Sequence, residues 1–164
     1  MGRHLDREAT SVASLELRIP PVALAVLIGA LMWIVRLISP SLTIEFQRGN
    51  VVASAIAILG VAIALAGVLE FRRARTTVDP TAPSKSTSVV TGGVYRFTRN
   101  PMYLGFLLVL AGWAFYLSNP VVLLGPALFV FYMNRFQIIP EERILKSRFG
   151  LPFERYLEKV RRWV

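Results

Sequence analysis

The sequence predicts an all-α, polytopic membrane protein with about four transmembrane helices. One reason is composition, because 54% of the 164 residues are hydrophobic and the mean hydropathy is +0.53. A second is the length of its apolar runs, because a helix rises about 1.5 Å per residue and about 20 residues therefore cross the roughly 30 Å of bilayer hydrocarbon. Four apolar runs approach that length, residues 19–38, 51–71, 102–117 and 121–139.

The first two runs are apolar around their whole circumference, which argues against a soluble protein with buried core helices. The first run is too long for a signal peptide and lacks a small-residue cleavage pattern, so we expect it in the mature chain. The third run is short for a span, and Tyr103 and Tyr116 can anchor its ends at the two membrane interfaces. Residues 118–120 form a tight turn, which makes the third and fourth spans antiparallel neighbours.

Basic residues predict the orientation of the bundle. With four spans, both termini and the connection 72–101 lie on one side, which carries 17 of the 19 Lys and Arg residues, all except Arg36 and Arg48. The positive-inside rule makes that side cytoplasmic. Topology and attraction to anionic headgroups explain the net charge of +9 better than nucleic-acid binding does. The short chain and the lack of a targeting segment indicate a prokaryotic plasma membrane.

The chain has no cysteine and a single histidine, His4. Disulfides, thiolate metal sites and a cysteine nucleophile are therefore excluded, and no imidazole is present in the helical region for metal binding or acid–base chemistry. No glycine-rich phosphate-binding or dinucleotide-binding motif is present. We expect no metal cofactor.

We expect a single membrane domain in three parts. These are an N-terminal two-helix hairpin (1–71), a cytoplasmic connection (72–101) and a C-terminal hairpin with its trailing segment (102–164). A connection of this length is either a disordered tether or a lid over a site. Val89, Val90 and the stretch 94–97 place apolar and aromatic side chains where a plain linker is polar, and this favours the lid.

Two further helices are predicted after the fourth span. One begins after Pro140 and ends at Gly150, because glycine commonly terminates helices. The second covers residues 152–163 and is typical of an interfacial amphipathic helix that closes the cytoplasmic face. Its apolar positions recur at three-to-four spacing: Phe153, Tyr156, Leu157, Val160 and Val164.

The third span opens with the motif Arg99-Asn100-Pro101-Met102-Tyr103-Leu104-Gly105. Asparagine followed by proline is a good helix start, with Asn as the N-cap and Pro at the first helical position. Asn119-Pro120 starts the fourth span in the same way without polar neighbours, so the dipeptide alone says nothing about function. The first copy adds Arg99, Tyr103 and Gly105, and the glycine lets a ligand or another helix approach closely. The residues alone leave a structural and a functional interpretation equally open.

Polar residues also mark the cytoplasmic end of the fourth span. Asn134, Gln137 and Glu141 fall on one helix face, and polar groups at membrane depth are costly unless they are paired or face a wet cavity. We therefore expect this face to point into the bundle, toward a pocket between spans three and four under the connection 76–97. The alternative for Glu141 and Glu142 is a first-turn role that complements the helix dipole.

Several features occur in order: the run 92–105, a short hairpin, the Glu141-Glu142 pair, and Phe149-Gly150 with Tyr156. This combination resembles the isoprenylcysteine carboxyl methyltransferase and phospholipid methyltransferase superfamily over residues 72–164. The resemblance implies a membrane-embedded methyltransferase that uses S-adenosylmethionine, releases S-adenosylhomocysteine and holds the cofactor on the cytoplasmic side.

The resemblance also implies site residues. Arg99 and Glu142 are the expected catalytic residues, and Gln137 and Asn134 are expected toward the substrate. Arg99 could hold the methionine carboxylate of the cofactor, its alternative role being to anchor a lipid headgroup. The expected cofactor-binding residues are Thr87, Ser88, Val89, Val90, Tyr95, Asn100, Pro101, Met102, Tyr103, Gly105, Glu141 and Glu142.

Two positions depart from the family pattern. Members that methylate prenylated cysteine usually have histidine in place of Asn100 and a substrate-binding arginine in place of Gln137. The missing arginine weakens the case for a prenylcysteine carboxylate. The expected acceptor is therefore only defined as a lipophilic or membrane-delivered small molecule or lipid, such as an isoprenylcysteine-like carboxylate, a phospholipid amine or a thiol.

Methyl transfer from a sulfonium requires donor and acceptor to be held in line with water excluded, and it needs no metal. A carboxylate acceptor needs no base, whereas a thiol or amine must lose a proton, for which Glu142 or Tyr103 is the candidate acceptor. Two alternatives remain: a non-catalytic membrane scaffold or binding protein that kept the fold, and a small transporter. The spans carry few internal polar residues to line a transport path.

Overall fold

The structure, a computed structural model, describes residues 16–44, 49–74 and 88–164. Every regular element within these ranges is helical. Pro21–Ile38, Gly49–Arg73 and Pro120–Phe149 are long and apolar enough to cross a membrane, and Pro101–Leu117 is a shorter apolar helix. The predicted all-α polytopic fold is confirmed.

Helices α1, Pro21–Ile38, and α2, Gly49–Arg73, both pack against the third helix. Helix α1 begins with proline at its first position, where the missing N–H costs no hydrogen bond. A 3₁₀ turn, Pro40–Leu42, follows α1. Both helices keep large apolar side chains exposed, as helices that face lipid do.

Helix α3, Pro101–Leu117, lies very close to α2. A Cβ atom added to Gly105 would lie 2.5 Å from the Gly60 carbonyl oxygen, and one added to Gly60 would lie 2.6 Å from that of Gly105. Dispersion contacts at such short range are a main attraction between helices in lipid. The close approach at Gly105 is therefore made by a helix and not by a ligand.

The fourth helix runs from Pro120 to Phe149 and changes its winding along the way. It consists of a 3₁₀ turn Pro120–Leu123, helix α4 Leu124–Tyr132, a π-helical segment Met133–Ile138 and helix α5 Ile139–Phe149.

The prediction that a separate helix begins after Pro140 is wrong, because the fourth helix continues through this residue. The wider π turn before Pro140 displaces the carbonyl that a proline ring otherwise meets. The predicted end at Gly150 is confirmed, and its φ of +57° is one that glycine adopts without strain.

Helix α6, Leu151–Lys159, is shorter than predicted. The prediction that it extends to Trp163 is wrong, because residues 160–164 turn back toward the start of α3. There the carbonyls of Arg161 and Arg162 accept hydrogen bonds from residues 98–100. We call residues 160–164 the C-terminal tail.

The apolar face predicted for α6 is used within the protein. Phe153 and Tyr156 are buried, whereas Val164, expected on the same face, lies on the tail and is exposed. Helix α6 therefore packs over the end of the bundle at which α3 begins. We call this the site end, and the end at which α3 finishes the far end.

Candidate active site

A cleft opens at the site end, between the starts of α3 and α5, helix α6 and residues 88–95. It encloses about 520 Å³, part of it open to the surroundings. The lining residues are Phe71, Ser88, Val89, Val90, Tyr95, Arg99, Asn100, Glu141, Glu142, Leu145, Phe153 and Tyr156.

Aromatic rings form one wall of the cleft. The 3₁₀ turn Gly93–Arg96 buries Tyr95, whose ring meets Phe71 edge-on with 5.4 Å between centroids. Tyr156 donates from its hydroxyl to the Tyr95 carbonyl at 2.8 Å. Burial raises the pKa of both tyrosines above the ordinary value, so both stay protonated at neutral pH. This wall is therefore uncharged.

The turn that places Tyr95 requires glycine. Gly93 has a φ of +53°, and a Cβ added to it would lie 2.5 Å from the Glu70 carboxyl carbon. Glu70 in turn pairs with Arg73 at 2.7 Å near the end of α2. The close approach of the Gly93 backbone to Glu70 therefore places the 3₁₀ turn Gly93–Arg96 against the end of α2.

Two arginines converge on one carboxylate in the cleft. Arg99 Nη2 lies 3.1 Å from Glu142 Oε1, and Arg162 reaches both oxygens, with Nε 3.2 Å from Oε1 and Nη2 2.6 Å from Oε2. Arg99 also donates from Nη1 to the Leu157 carbonyl at 3.0 Å. Its Nε is buried without a hydrogen-bond partner in the part of the chain that the structure describes. Two guanidinium groups against one carboxylate leave a net positive charge.

Glu141 belongs to a separate network. Its Oε1 accepts a hydrogen bond from the Tyr103 hydroxyl at 2.7 Å and another from Gln137 Nε2 at 3.0 Å. Gln137 and Tyr103 are both buried, so this part of the polar helix face does point into the bundle, as predicted. The donors to Glu141 are uncharged, whereas those to Glu142 are guanidinium groups.

The C-terminal tail covers the start of α3. Asn100 Nδ2 donates to the Arg162 carbonyl at 2.9 Å, the Thr98 hydroxyl donates to the same carbonyl at 3.3 Å, and the Arg99 N–H donates to the Arg161 carbonyl at 3.0 Å. The side-chain cap predicted for Asn100 is therefore absent, although Asn100 does occupy the N-cap position. Its amide holds the tail instead.

A family model described as phospholipid methyltransferase matches residues 49–151, which run from the start of α2 to the start of α6. The chain belongs to the phospholipid methyltransferase family. The family model covers every residue of the cleft lining except Phe153 and Tyr156 of α6. The chain is thus a membrane methyltransferase of the isoprenylcysteine and phospholipid type.

Individual relatives agree with the family assignment. Protein-S-isoprenylcysteine O-methyltransferase B of Arabidopsis thaliana is 30% identical over 139 residues, which cover 84% of this chain and 70% of the relative. Protein-S-isoprenylcysteine O-methyltransferase A of the same plant is 33% identical over 103 residues, 63% of this chain and 52% of the relative. An uncharacterised Haemophilus influenzae protein is 46% identical over 63 residues, 38% of this chain and its own full length. No solved structure matches.

The cleft of this methyltransferase brings together many of the residues predicted from sequence. Tyr103 joins them through its hydrogen bond to Glu141. Thr87 and the rest of the segment 76–87, predicted to cover the pocket, lie outside the described residues. The predicted residues that line the cleft are Ser88, Val89, Val90, Tyr95, Arg99, Asn100, Glu141 and Glu142.

Other predicted residues have different surroundings. Pro101 is buried at the α2–α3 contact, Met102 packs against Gly67, and Gly105 lies against α2, all outside the cleft lining. The two residues expected toward the substrate are bound to protein groups, Gln137 to Glu141 and Asn134 to the Trp163 indole N–H at 3.1 Å.

Sequence reasoning missed the C-terminal tail and part of the apolar lining. Arg162 and Trp163 were placed on an amphipathic helix, whereas both bind polar groups of the fourth helix. The available signal is chemical, since two arginines and a tryptophan within the last four residues offer many hydrogen-bond donors. Phe71, Leu145 and Phe153 gave no signal, because an apolar side chain in such a helix looks the same whether it faces lipid, core or ligand.

A larger apolar groove lies between α1, α2 and α3 on the bundle flank. It encloses about 1,340 Å³, including space open to the surroundings. Trp113 stacks between Trp33 and Tyr116, with 5.8 and 5.2 Å between centroids, and donates from its indole N–H to the Gly29 carbonyl at 3.1 Å. The groove begins at Phe106, six residues beyond Asn100 and thus about 9 Å along α3.

Proposed function

We propose that the protein transfers a methyl group from S-adenosylmethionine, bound in the cleft, to a lipophilic acceptor that reaches it from the bilayer. The observation that carries the proposal is the charged arrangement in the cleft, with Arg99, Arg162 and Glu142 beside the separate carboxylate of Glu141. Membership of a methyltransferase family supports the reaction type.

The residues present fit S-adenosylmethionine. Its carboxylate requires donors, and Arg99 has a buried Nε without a partner among the described residues, next to a group with a net positive charge. Its positively charged ammonium and sulfonium groups favour a nearby carboxylate, which Glu141 supplies. The uncharged wall of Tyr95 and Tyr156 suits a planar adenine ring.

When bound, S-adenosylmethionine supplies an activated methyl group whose transfer needs no covalent enzyme nucleophile. The chain's task is therefore to bind, orient and exclude water. Both oxygens of Glu142 accept hydrogen bonds from guanidinium groups, which favours a role in positioning Arg99 over a role as base. For an acceptor that must lose a proton, the hydrogen-bonded pair Tyr103 and Glu141 is the better candidate.

The acceptor is proposed to be apolar for most of its length. The groove between α1, α2 and α3 is lined almost entirely by apolar side chains and starts about 9 Å from the cleft along α3. The plant relatives are named for isoprenylcysteine. Gln137, expected toward the substrate, donates to Glu141 instead. We therefore propose that the acceptor, a lipid amine, thiol or carboxylate, is recognised chiefly by its apolar part.

The orientation is proposed to place the cleft in the cytoplasm, where S-adenosylmethionine is made. Basic residues gather at the site end: Arg99 and Arg162 pair with Glu142 at the cleft, and Arg135 and Arg143 belong to the same stretch of the fourth helix. In a prokaryotic plasma membrane the cofactor then enters from water and the acceptor from lipid.

The decisive experiment is calorimetric titration of the detergent-solubilised protein with S-adenosylmethionine and S-adenosylhomocysteine. We expect micromolar binding that weakens at least roughly tenfold in Glu142→Gln, since a neutral side chain no longer holds the two arginines in position. The matched control is Glu154→Gln, which removes a carboxylate from the first turn of α6 that pairs with Lys146 at 2.9 Å outside the cleft lining.

The outcomes separate the hypotheses. Binding by wild type and control that Glu142→Gln loses supports the site and justifies a radiolabelled-methyl assay with lipid amine, lipophilic thiol and prenylcysteine acceptors. Equal binding by all three proteins rejects the site assignment. No binding by folded wild type rejects the proposed reaction and favours a scaffold that kept the family fold.

A further inference from the structure

Residues 16–20, which we call the N-terminal strap, lie against the π-helical segment of the fourth helix. The Leu17 N–H donates to the Phe136 carbonyl at 3.0 Å. Pro140 has no N–H, so this carbonyl lacks the donor that an α-helix supplies from four residues later. The strap therefore supplies a hydrogen bond that the proline removes.

A second contact joins the strap to both sides of Pro140. The Glu16 carboxylate is 3.5 Å from Arg135 Nη1 through Oε1 and 3.3 Å from Arg143 Nη1 through Oε2. Arg135 belongs to the π segment and Arg143 to α5. One carboxylate thus connects the residues before and after the change in winding.

The backbone of the strap is itself constrained. Leu17 has a φ of +59°, in the left-handed region that residues with a β-carbon rarely occupy. Such a conformation persists where its surroundings hold it. Leu17 and Glu16 both contact the fourth helix, and these contacts favour that conformation here.

The winding of the π segment decides where Glu141 points. An α-helix turns about 100° per residue, so a change of register by one residue rotates everything beyond it by about that angle. Glu141 now accepts hydrogen bonds from Tyr103 and Gln137 and lines the cleft. A rotation of that size would remove its carboxylate from Tyr103.

We propose that the N-terminal strap is a positioning element, which holds the π-helical register of the fourth helix and thereby keeps Glu141 in the cleft. Glu16 and Leu17 act through the helix and do not touch the cleft lining. Only the last step, from the position of Glu141 to cofactor affinity, rests on the proposed function.

The test compares Leu17→Pro with Leu17→Gly in the full chain. Proline removes the N–H and cannot adopt the left-handed φ, whereas glycine keeps the N–H and adopts that φ freely. Hydrogen exchange without cofactor should quicken in peptides covering residues 133–142 of Leu17→Pro and stay at the wild-type rate in Leu17→Gly. Affinity for S-adenosylmethionine should fall roughly tenfold in the proline variant and by less than about twofold in the glycine variant.

A milder variant keeps the test decisive if Leu17→Pro does not fold. Glu16→Ala should quicken exchange in the same peptides and weaken binding roughly threefold. Unchanged exchange in Glu16→Ala and in every folded Leu17 variant overturns the strap proposal. If wild type binds S-adenosylmethionine, a variant with faster exchange but wild-type affinity overturns it as well. If wild type binds no S-adenosylmethionine, the proposed function fails, while the exchange data still decide whether the strap holds the π register.

Discussion

The dipeptide Asn-Pro occurs at both ends of the α3 region, and its asparagine is used differently at each. At the far end Asn119 caps the next helix, with Oδ1 accepting from the Val121 N–H at 2.9 Å, while Nδ2 donates to the carbonyl and hydroxyl of Ser39 at 3.1 and 3.0 Å. At the site end Asn100 makes no side-chain cap and donates to the Arg162 carbonyl.

The difference shows that an asparagine at the start of a helix need not use its side chain to cap that helix. A side-chain cap contributes about 1 kcal/mol, and Asn100 gives up that contribution to hold the tail. At the far end the asparagine connects the turn before the fourth helix to the end of α1. At the site end it holds the C-terminal tail beside the cleft. Changes to the polar side chains of the far end should therefore lower stability, and changes to those of the site end should lower cofactor affinity.

Gly105→Ala should have the largest effect on stability, although the residue was expected at the cofactor. Its new Cβ would lie 2.5 Å from a backbone oxygen of α2, so the helices must move apart. We expect the unfolding free energy to fall by about 3 kcal/mol and the unfolding midpoint, followed by tryptophan fluorescence in detergent, to fall by about 8 °C. S-adenosylmethionine affinity of the folded protein should not change.

Gly29→Ala is the control for that variant. A Cβ there would meet Leu110 at 3.8 Å, an ordinary contact, so the midpoint should stay within about 2 °C of wild type. If Gly105→Ala keeps the wild-type midpoint but loses cofactor binding, Gly105 belongs to the site, and our assignment of it to helix packing is wrong.

Arg162→Ala should have the largest effect on affinity. It removes two hydrogen bonds to Glu142 from the tail and leaves that carboxylate with Arg99 alone. Charged hydrogen bonds of this kind contribute about 2 kcal/mol, so the dissociation constant should rise about thirtyfold. Calorimetry measures it, and the exposed Arg155 of α6 supplies the control Arg155→Ala, which should bind like wild type.

An unchanged dissociation constant in Arg162→Ala would show that the tail is not part of the cofactor site. Both ends of α3 would then have a purely structural role. A parallel loss of affinity in Arg155→Ala would point to a general effect of positive charge near the cleft, and repeating both titrations at high salt distinguishes the two, because salt screens the exposed charge more strongly.

Asn119→Ala should lower stability without changing affinity. The variant removes the cap on the fourth helix and the two donations to Ser39, at a position that is 3% exposed. We expect a loss of about 1.5 kcal/mol and a midpoint about 4 °C lower, measured by tryptophan fluorescence. A weaker cofactor affinity in this variant would contradict the separation of the two ends.

The sequence was a good guide to the helices and a weaker guide to what their ends do. Apolar runs predict the spans closely, because a residue that faces lipid must be apolar wherever it lies in the fold. The fourth run, for example, was predicted to start at residue 121, and the helix starts at Pro120. The same reasoning placed Asn100 at the N-cap, where it is. It could not predict that the side chain turns to Arg162, a residue far away in sequence.

The tail and the π segment were missed for the same physical reason. Val160 and Val164 continue the spacing of an amphipathic helix, yet hydrogen bonds from Thr98 and Asn100 to the tail favour a chain that turns back. Tertiary contacts here outweigh local helix preference. Likewise, Pro140 indicates a helix break by local rules, yet the helix continues through it. The Phe136 carbonyl before the proline accepts a hydrogen bond from the Leu17 N–H, which is far away in sequence.

Asn100→Asp should have the smallest effect and the sharpest meaning. Aspartate is as good an N-cap as asparagine, and its charge favours a helix start, so stability should stay level or rise by up to about 1 kcal/mol. It has no N–H to donate to the Arg162 carbonyl, so the tail loses one hydrogen bond, about 1 kcal/mol, and the dissociation constant for S-adenosylmethionine should rise about fivefold. Asn119→Asp keeps the far-end cap, loses the donations to Ser39 and should leave affinity unchanged. Equal affinities in both aspartate variants would show that Asn100 is only a helix start, as Asn119 is.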